Sequence, residues 1–285
     1  MRIVVVSDCI LDVYFVLSDV RVKRITVARN AVFSPGGACT TAIAAQRAGA
    51  EALIVDDTGS DEAGFILKTM LSRLGLKIEG IAERKDLSTP VCANLLFKDG
   101  THSFVGSMPN RISGLTDRIE GLGRYEALFF NGYALLANPE LPEIAGRQRE
   151  RGVRVFFDPG PLRLEGKLRE RMCEVSDFII PNESESRSWT SCRKAALVIK
   201  LGRRGARVIA DGRIRWIRPF RADSVVTDVG AGDTFDGAFM AEYLRSGDAV
   251  RAAAFASAAA SLKLRGIGAG SIPDRQEVEG LLGDG

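Results

Sequence analysis

Short, near-continuous apolar runs bounded by turn residues recur along the chain, at residues 3–6, 52–55, 127–130, 153–157, 178–180, 196–199 and 207–210. Runs without polar alternation are typical of strands that are buried on both faces of a sheet. Several runs are separated by segments with helical spacing of apolar residues, at 40–48, 63–74 and 139–151. This alternation predicts an α/β sandwich of three layers, in which a mostly parallel central sheet has helices on both sides.

Two stretches, residues 13–33 and 78–105, break this alternation and are rich in Val, Ile, Thr and Phe. Hairpin-like joins at Ser18-Asp19 and Lys98-Asp99-Gly100 divide them, so we predict strands of a small accessory sheet. Because ligands bind at the carboxyl ends of the strands in open α/β sheets, we expect this sheet to be a lid over that edge. The predicted organisation is a main α/β domain of residues 1–12, 34–77 and 106–285, with an inserted lid of residues 13–33 and 78–105.

Composition and charge restrict the function classes. Hydrophobic residues are 46% and charged residues 26% of the chain, as in ordinary globular proteins. The net charge of +3 arises from 39 basic and 36 acidic residues in mixed order, so we expect no nucleic-acid partner. We find no apolar run of the kind that forms a signal peptide or a membrane span, and we expect a cytoplasmic protein without a membrane partner. The five cysteines have neither zinc-site spacing nor a disulfide framework, so we expect reduced thiols.

The most informative segment is residues 227–235, which contains Gly230, Ala231, Gly232 and Asp233. Two glycines around Ala231 let successive backbone N–H groups turn toward one point where a helix begins, and the helix dipole favours negative charge there. Asp233 opens the predicted Ala-rich helix 233–244, which a second such helix, 248–264, follows. We expect the dipole to keep this carboxylate ionised as a proton acceptor. An anion hole beside a base suits phosphoryl transfer, whereas the alternative is a glycine-rich turn with a capping aspartate.

Four further segments carry recognisable patterns. These are residues 7–12 after the first apolar run, Pro35-Gly36-Gly37 with the small-residue helix behind it, residues 181–185 with the pattern Asn-x-x-Glu, and residues 200–205. Together with residues 227–235 they resemble, in order, the motifs of the ribokinase-like, or pfkB, carbohydrate kinases. The resemblance implies the ribokinase-like fold and an ATP-dependent kinase that phosphorylates a small sugar or a sugar-like polyol.

At the acceptor, the resemblance implies that Asp233 is the general base and that Gly230, Ala231 and Gly232 form the anion hole. Asp12 is expected to bind a sugar hydroxyl. Three more residues complete the implied acceptor site, namely Gly36 and Gly37, which let the sugar approach the backbone, and Thr41.

The chain departs from ribokinase at two acceptor positions. Thr41 stands where many family members carry Asn, and Ala38 stands where ribokinase has Lys. A pocket shaped for ribose but lacking two polar contacts would bind it poorly, so we expect a different acceptor. One candidate is an acceptor with an anionic group met by an arginine such as Arg29 or Arg163.

At the nucleotide, the resemblance implies that Asn182 and Glu185 order Mg²⁺ and its waters near the phosphates, the alternative being helix capping. Lys200 is expected to reach the triphosphate, the alternative being solvent exposure. The remaining implied nucleotide contacts are Gly202 and Gly205, as the floor beneath the nucleotide, and Ser257, on the adenine side or simply in helix packing.

Two other motif positions differ from the family pattern. Thr227 replaces the leading Asp of the carboxyl-terminal signature, at a position that helps to bind an activating monovalent cation in several members, so potassium dependence stays open. The turn at Asp158 resembles the family's Asp-Pro-Asn turn with Gly160 in place of Asn, and we assign it no chemistry.

Alternative functions remain. A nucleoside kinase of the same fold is the nearest, with the lid aromatics as candidates for stacking a base. A non-catalytic sugar-binding or regulatory protein is disfavoured by Asp233, because a binding module needs no general base. A dinucleotide-dependent oxidoreductase is disfavoured because no G-x-G-x-x-G follows the first strand. We interpret His102 as a surface residue of the lid, and a homodimer that forms through exposed lid edges is a further expectation.

Overall fold

The strands in the described part of the chain form a nine-stranded and a four-stranded sheet in this computed structural model, which describes residues 1–6, 8–18, 25–99, 101–190 and 192–283. The strands are β1 (Arg2–Val6), β2 (Ile10–Leu17), β3 (Asn30–Gly36), β4 (Glu51–Gly59), β5 (Ile81–Arg84), β6 (Val91–Phe97), β7 (His102–Gly106), β8 (Ala127–Asn131), β9 (Arg154–Asp158), β10 (Phe178–Ile179), β11 (Ala196–Lys200), β12 (Ala206–Ala210) and β13 (Arg213–Ile217). The helices are α1 (Ala38–Arg47), α2 (Glu62–Arg73), α3 (Leu115–Gly121), α4 (Gly132–Ala137), α5 (Leu141–Glu150), α6 (Gly166–Val175), α7 (Glu183–Ser186), α8 (Ala231–Ser246), α9 (Ala249–Lys263) and α10 (Arg275–Gly283).

The large sheet has the strand order β13-β12-β11-β10-β9-β8-β1-β4-β5. Seven of these strands, from β11 to β5 in that order, pair in parallel, while β12 and β13 add an antiparallel edge. The prediction of a mostly parallel central sheet is therefore confirmed. The five helices that the sequence predicts correspond to α1, α2, α5, α8 and α9, with ends that differ by a few residues.

Both faces of the large sheet are buried, and β1 shows why its sequence is apolar throughout. Ile3 and Val5 pack into the core on one face, which includes residues of α1, α8 and α9. Val4 and Val6 pack into the core on the other face, against residues of α5 and α6. Each buried branched side chain contributes about 1.5–3 kcal/mol relative to an exposed one. The three-layer arrangement follows from this burial on both sides.

The small sheet has the order β3-β2-β6-β7, with β2 and β6 parallel and the other pairs antiparallel. The predicted lid boundaries need correction. Ile81–Arg84, assigned to the lid, pairs with β4 at the edge of the large sheet because its apolar start is buried there. Residues 10–12 and 34–36, assigned to the main domain, form the ends of β2 and β3. Ser7 and parts of both predicted hairpin joins, including Asp19 and Gly100, lie outside the described residues.

Helices α1 and α8 approach each other backbone to backbone at Gly237. A Cβ atom there would lie 2.2 Å from the carbonyl oxygen of Thr41, so only glycine fits. This close packing brings the amino-terminal ends of both helices to the carboxyl edge of the sheet.

The prediction that the cysteines are all reduced thiols is wrong for one pair. Cys173 in α6 and Cys192 form a disulfide across a Cα–Cα distance of 5.5 Å. Their 19-residue separation carries no signal in the sequence, because packing of the chain around β10 and β11 brings them together. Of the helices in the described ranges, none has both the length and the apolar surface needed to traverse a bilayer.

Candidate active site

A cavity of about 510 Å³ lies between the lid and the carboxyl edge of the large sheet. Its lid side is formed by residues of β2, β6 and β7, and its floor by the turn before α1 and the start of α8. It brings together Asp12, Gly37, Gly230 and Asp233. A larger cavity, of about 860 Å³, lies at the opposite edge of the sheet and is lined by none of the predicted site residues. The convergence of functional groups, and not volume, therefore identifies the site.

Asp233 lies in the first turn of α8 and opens on this cavity. Burial raises the pKa of its carboxyl to about 7, and the nearby carboxylates of Asp158, Asp8 and Asp12 also raise it, against the Lys200 ammonium. Lost hydration and like charges therefore oppose the helix dipole, which we expect to favour the ionised form of this group. A pKa near 7 suits a general base that works at neutral pH.

The turn before α8 provides part of the predicted anion hole. Gly230 is the N-cap, with a φ of 80° in the left-handed region that favours glycine. The N–H of Ala231 donates to the Asp228 carbonyl at 3.1 Å, so the structure does not support its part in the anion hole. The N–H groups of Gly232 and Asp233 belong to the first helical turn, whose N–H groups have no partners within the helix. Negative charge is favoured at this point.

Asp12 points from strand β2 of the lid into the cavity and is buried. The hydroxyl of Tyr14 donates to its Oδ2 at 3.1 Å. Gly36 is buried and makes room for this carboxylate, since a Cβ atom at Gly36 would lie 2.2 Å from Asp12 Oδ2. Burial raises the pKa of Asp12 to about 6, against hydrogen bonds from Asn94 and Tyr14. Gly36 therefore shapes the site through Asp12.

Asp8 is a site residue to which sequence reasoning gave no role. Its Oδ1 accepts hydrogen bonds from the N–H of Ala38 at 2.7 Å and from Asn131 Nδ2 at 3.1 Å. Burial raises its pKa to about 6. Gly37 has a φ of 57° and lies close to the backbone of Asp8. A Cβ atom at Gly37 would lie 2.5 Å from the Asp8 carbonyl oxygen. The position of Asp8 just after β1, at the carboxyl edge of a parallel sheet, was the signal that could have identified it as a site residue.

The predicted sugar contact at Thr41 needs correction. Thr41 is fully buried in α1, and its carbonyl faces Gly237 of α8, so its side chain does not line the cavity. Thr40, one residue earlier, lines it instead. The Ala38 side chain is also fully buried. A shift of one residue on a helix turns the side chain by about 100° and decides which residue faces the ligand.

Lys200 ends strand β11 and lies in a buried ion-pair cluster, so its alternative interpretation as a solvent-exposed residue is wrong. Its Nζ lies 2.8 Å from Asp158 Oδ2 and 3.1 Å from both carboxylate oxygens of Asp236. Burial opposes the charge of the ammonium, yet the two carboxylates raise the pKa of Lys200. A Cβ atom at Gly232 would lie 3.7 Å from this ammonium, so Lys200 adjoins the amino-terminal end of α8.

Asn182 and Glu185 form a capping box around the short helix α7, as the alternative interpretation expects. Asn182 Oδ1 accepts from the Glu185 N–H at 3.0 Å, and Glu185 Oε2 accepts from the Asn182 N–H at 2.8 Å. Burial, together with the Asp158 carboxylate, raises the pKa of Glu185 to about 7. A cation beside Glu185 would relieve this unfavourable charge, and amide and carboxylate oxygens suit Mg²⁺ with its waters. The residues therefore fit a water-mediated magnesium site, although the described residues contain no group of three or more His, Cys, Asp or Glu side chains placed to bind a metal directly.

The remaining nucleotide positions differ in exposure. Gly202 is exposed at the start of a 3₁₀ turn after β11. Gly205 is buried, and a Cβ atom there would lie 2.1 Å from the carbonyl oxygen of Ile217. Gly205 therefore lets this turn pack closely on the end of β13. Ser257 is buried on α9, and its hydroxyl has no hydrogen-bond partner within the described part of the chain.

Three lid and edge residues that were not predicted as contacts also line the cavity, namely Asn94, His102 and Tyr133. Asn94 donates from Nδ2 to the Cys92 carbonyl at 3.2 Å within β6. The strands of the lid alternate between a solvent face and a cavity face, but the sequence alone does not tell which face is which.

Comparison with known proteins places the chain in a family. The model described as "pfkB family carbohydrate kinase" matches residues 1–275. Ribokinase of Bacillus subtilis (strain 168) is 29% identical over 307 aligned positions, which cover 99% of each chain.

Two solved structures show the same fold. Arabidopsis thaliana ribokinase complexed with ribose and ATP has a TM-score of 0.82 at 22% identity, over 99% of this chain and 98% of that one. Burkholderia thailandensis nucleoside kinase in complex with inosine has a TM-score of 0.81 at 19% identity, over 98% and 97%. These likenesses confirm the ribokinase-like fold. Since the family model covers nearly the whole chain, the protein belongs to the pfkB family of carbohydrate kinases and is a kinase that phosphorylates a sugar hydroxyl.

Proposed function

We propose that the protein transfers the γ-phosphoryl group of ATP to a hydroxyl of a small sugar or sugar-like polyol, with Asp233 as the general base. One observation carries this proposal. Asp233 opens on the same lid-covered cavity as Asp12 and lies at the anion-binding end of α8. A base, a hydroxyl-binding carboxylate and an anion site in one enclosed space are what transfer to an alcohol requires.

In this mechanism the acceptor lies under the lid, and Asp12 accepts a hydrogen bond from one of its hydroxyls. Gly37 lets the acceptor approach the backbone, and Asp8 is close enough to take part in the same polar network. The reacting hydroxyl gives its proton to Asp233 as its oxygen attacks the γ-phosphorus, and ADP leaves. The first turn of α8 stabilises the negative charge of the transferring group.

The nucleotide extends from α8 along the carboxyl edge toward β11, where Lys200 and Gly202 lie. We propose that Lys200 contacts the triphosphate, with the Asp158 and Asp236 carboxylates holding its ammonium in place. Asn182 and Glu185 would hold Mg²⁺ through its water shell, and the ion would supply charge neutralisation at the phosphates. Ser257 stays a predicted contact on the adenine side.

The charges of the cavity favour a neutral acceptor. Its charged lining is acidic, with the carboxylates of Asp8, Asp12, Asp228 and Asp233, and no lysine or arginine is found among the described residues that line it. Arg29 donates to Ser18 in an exposed position, and Arg163 is exposed elsewhere, so neither provides the anion contact that the sequence suggested. A phosphorylated acceptor would meet uncompensated like charge.

A nucleoside acceptor is a second candidate, because the mouth of the cavity is apolar. Phe104, Met108 and Tyr133 line it and are partly exposed, so a planar base has surfaces on which to pack. The ribose of a nucleoside would then occupy the polar interior.

A turnover screen tests both candidates. ADP formation from Mg²⁺–ATP is measured across neutral pentoses, hexoses, polyols, sugar acids, sugar phosphates and nucleosides, with free ribose included. We expect a neutral polyhydroxyl compound to give the highest kcat/KM and ribose not to rank first. Dependence on Asp233 separates transfer by this site from contaminating activity. A cytoplasmic location and a homodimer through the lid remain predictions.

A further inference from the structure

Lys263 is a fully buried cation to which the proposed mechanism gives no role. It is the last residue of α9, and only 1% of its surface is exposed. Its Nζ donates to the carbonyl oxygen of Val229 at 3.0 Å and to that of Gly266 at 3.3 Å. One carbonyl belongs to the turn before α8 and the other to the turn after α9. The ammonium therefore bridges two turns that are far apart in the sequence.

We propose that the Lys263 ammonium is a built-in monovalent cation that positions the anion-binding turn, and that the protein needs no potassium ion for this purpose. A buried monovalent cation held by backbone carbonyl oxygens is the chemistry of a potassium or ammonium site. In this chain the cation is covalently attached. The expected effects on kcat rest on the proposed function, whereas the assignment of Lys263 as a built-in cation does not.

The contacts of Lys263 place its charge directly behind the catalytic turn. A Cβ atom at Gly230 would lie 3.5 Å from Lys263 Cε, so the lysine stem packs against the residue whose left-handed conformation starts α8. A further backbone bond, from the Val226 N–H to the Leu264 carbonyl at 2.8 Å, joins the same two turns. Since Val229 immediately precedes Gly230, a shift of its carbonyl moves the first N–H groups of α8.

Charge balance supports the same assignment. Burial lowers the pKa of Lys263 to about 8, while the Asp233 and Asp228 carboxylates act to keep it charged. A methionine side chain, which is uncharged and ends one atom short of the ammonium, would leave the Val229 and Gly266 carbonyls without their donor in a buried place, which is unfavourable. It would also leave a space bordered by carbonyl oxygens that a free monovalent cation can enter.

The first test compares potassium dependence in the wild type with that in Lys263→Met, at equal ionic strength in choline chloride, KCl and NH₄Cl. The wild-type kcat should be the same in all three salts to within about twofold. Lys263→Met should lose about 10–100-fold in kcat in choline chloride, because a misplaced catalytic turn has effects of this size. KCl or NH₄Cl should restore most of that loss, and the KM for the acceptor should change less than kcat. Arg265→Met is the matched control, since Arg265 is an exposed cation in the same turn and donates to Leu262 and Glu277.

The second test does not depend on catalysis. Thermal unfolding of Lys263→Met should shift upward in KCl relative to choline chloride by about 2–4 °C, because a cation that binds only the folded state stabilises it, while the wild type and Arg265→Met should not shift. If no acceptor is ever phosphorylated, the proposed function fails and this shift still decides the cation assignment.

Three results would overturn the inference. They are clear activation of the wild type by potassium, full activity of Lys263→Met in choline chloride, and a folded Lys263→Met that neither KCl nor NH₄Cl activates or stabilises. If Lys263→Met does not fold, the salt comparison on the wild type decides alone.

Discussion

Nδ1 of His102, on strand β7 of the lid, lies 3.3 Å from Oδ1 of Asp228, in the turn that precedes helix α8. The ring of His102 also lies 4.8 Å from the ring of Phe104 in the same strand. His102, which we interpret from the sequence as a surface residue, is 31% exposed and also lines the cavity. The pair joins the edge strand of the lid to the turn that precedes α8.

Replacing His102 should weaken acceptor binding while leaving the chemical step almost unchanged. The pair is partly exposed, and such pairs contribute about 0.2–1 kcal/mol, so His102→Ala should raise the acceptor KM by up to about fivefold. Asp228→Asn should have a similar effect. The acceptor KM of the double variant should be no higher than that of the more impaired single variant. Steady-state kinetics on the four proteins measure this coupling. Strictly additive effects would show that the two side chains act independently.

Asp233→Asn should abolish most turnover and keep nucleotide binding. The amide cannot accept the proton of the reacting hydroxyl, and loss of one general base costs about 10²–10⁴-fold in rate. Binding of ADP, measured by calorimetry, should change little, because the first turn of α8 is preserved. Asp223→Asn, an exposed position, is the control. A kcat for Asp233→Asn above about a third of the wild-type value would contradict the assignment.

The pH dependence of kcat/KM should report the raised pKa of Asp233. A base acts when deprotonated, so activity should fall as the pH drops through about 7. Activity should also decline above about pH 8, where the Lys263 ammonium, whose pKa burial lowers to about 8, loses its charge. Below the pKa of Asp233 the loss approaches about tenfold per pH unit for one group. Asp8 and Asp12, with pKa values raised to about 6, should steepen the fall at lower pH. A profile that stays flat down to about pH 5 would mean that Asp233 keeps an ordinary carboxyl pKa.

Much of this site can be predicted from local signals. The turn from Gly230 to Asp233 shows in sequence because a glycine N-cap and a helix start are local features. Asp12 was predicted from the resemblance of residues 7–12 to a family motif. These residues meet in one cavity because a parallel sheet brings the carboxyl ends of its strands to one edge.

The rest depends on tertiary packing, which the sequence pattern does not encode. Ile81–Arg84 has the composition of a lid strand, yet it joins β4 because its neighbours place it there. Whether Thr40 or Thr41 faces the cavity depends on the rotation of α1, and α8 sets this rotation at Gly237. Lys263 ends an Ala-rich helix like an ordinary capping lysine, and tertiary packing brings the Val229 carbonyl, distant in the sequence, to its ammonium.

Glu185→Gln should change the magnesium response more than acceptor binding. The proposed role of Glu185 is to hold the ion through water, and Gln keeps the size and the hydrogen bond to the Asn182 N–H while removing the charge. The Mg²⁺ concentration for half-maximal rate should rise by about 10–100-fold, with the acceptor KM nearly constant. Glu183→Gln is the matched control, since Glu183 lies in the same helix and pairs with Arg204 at the surface. If only the acceptor KM changes, the role of Glu185 is structural.

The acidic cavity should discriminate against acceptors that already carry a phosphate. Four carboxylates line it without a lysine or arginine among the lining residues that the structure describes. Like charges near a protein surface oppose each other by a few kcal/mol at contact distances, and about 1.4 kcal/mol corresponds to tenfold in binding. A neutral polyol should therefore exceed its own monophosphate in kcat/KM by at least about tenfold, and added salt should reduce this difference in kcat/KM.

Met108→Lys, which places a cation at the mouth of the cavity, should raise kcat/KM for the monophosphate by about 3–10-fold. The kcat/KM for the neutral polyol should stay nearly unchanged, and Met108→Leu should change neither value. A wild-type preference for the monophosphate would show that a cation reaches the acceptor when the lid closes, and the neutral-acceptor assignment would then be wrong.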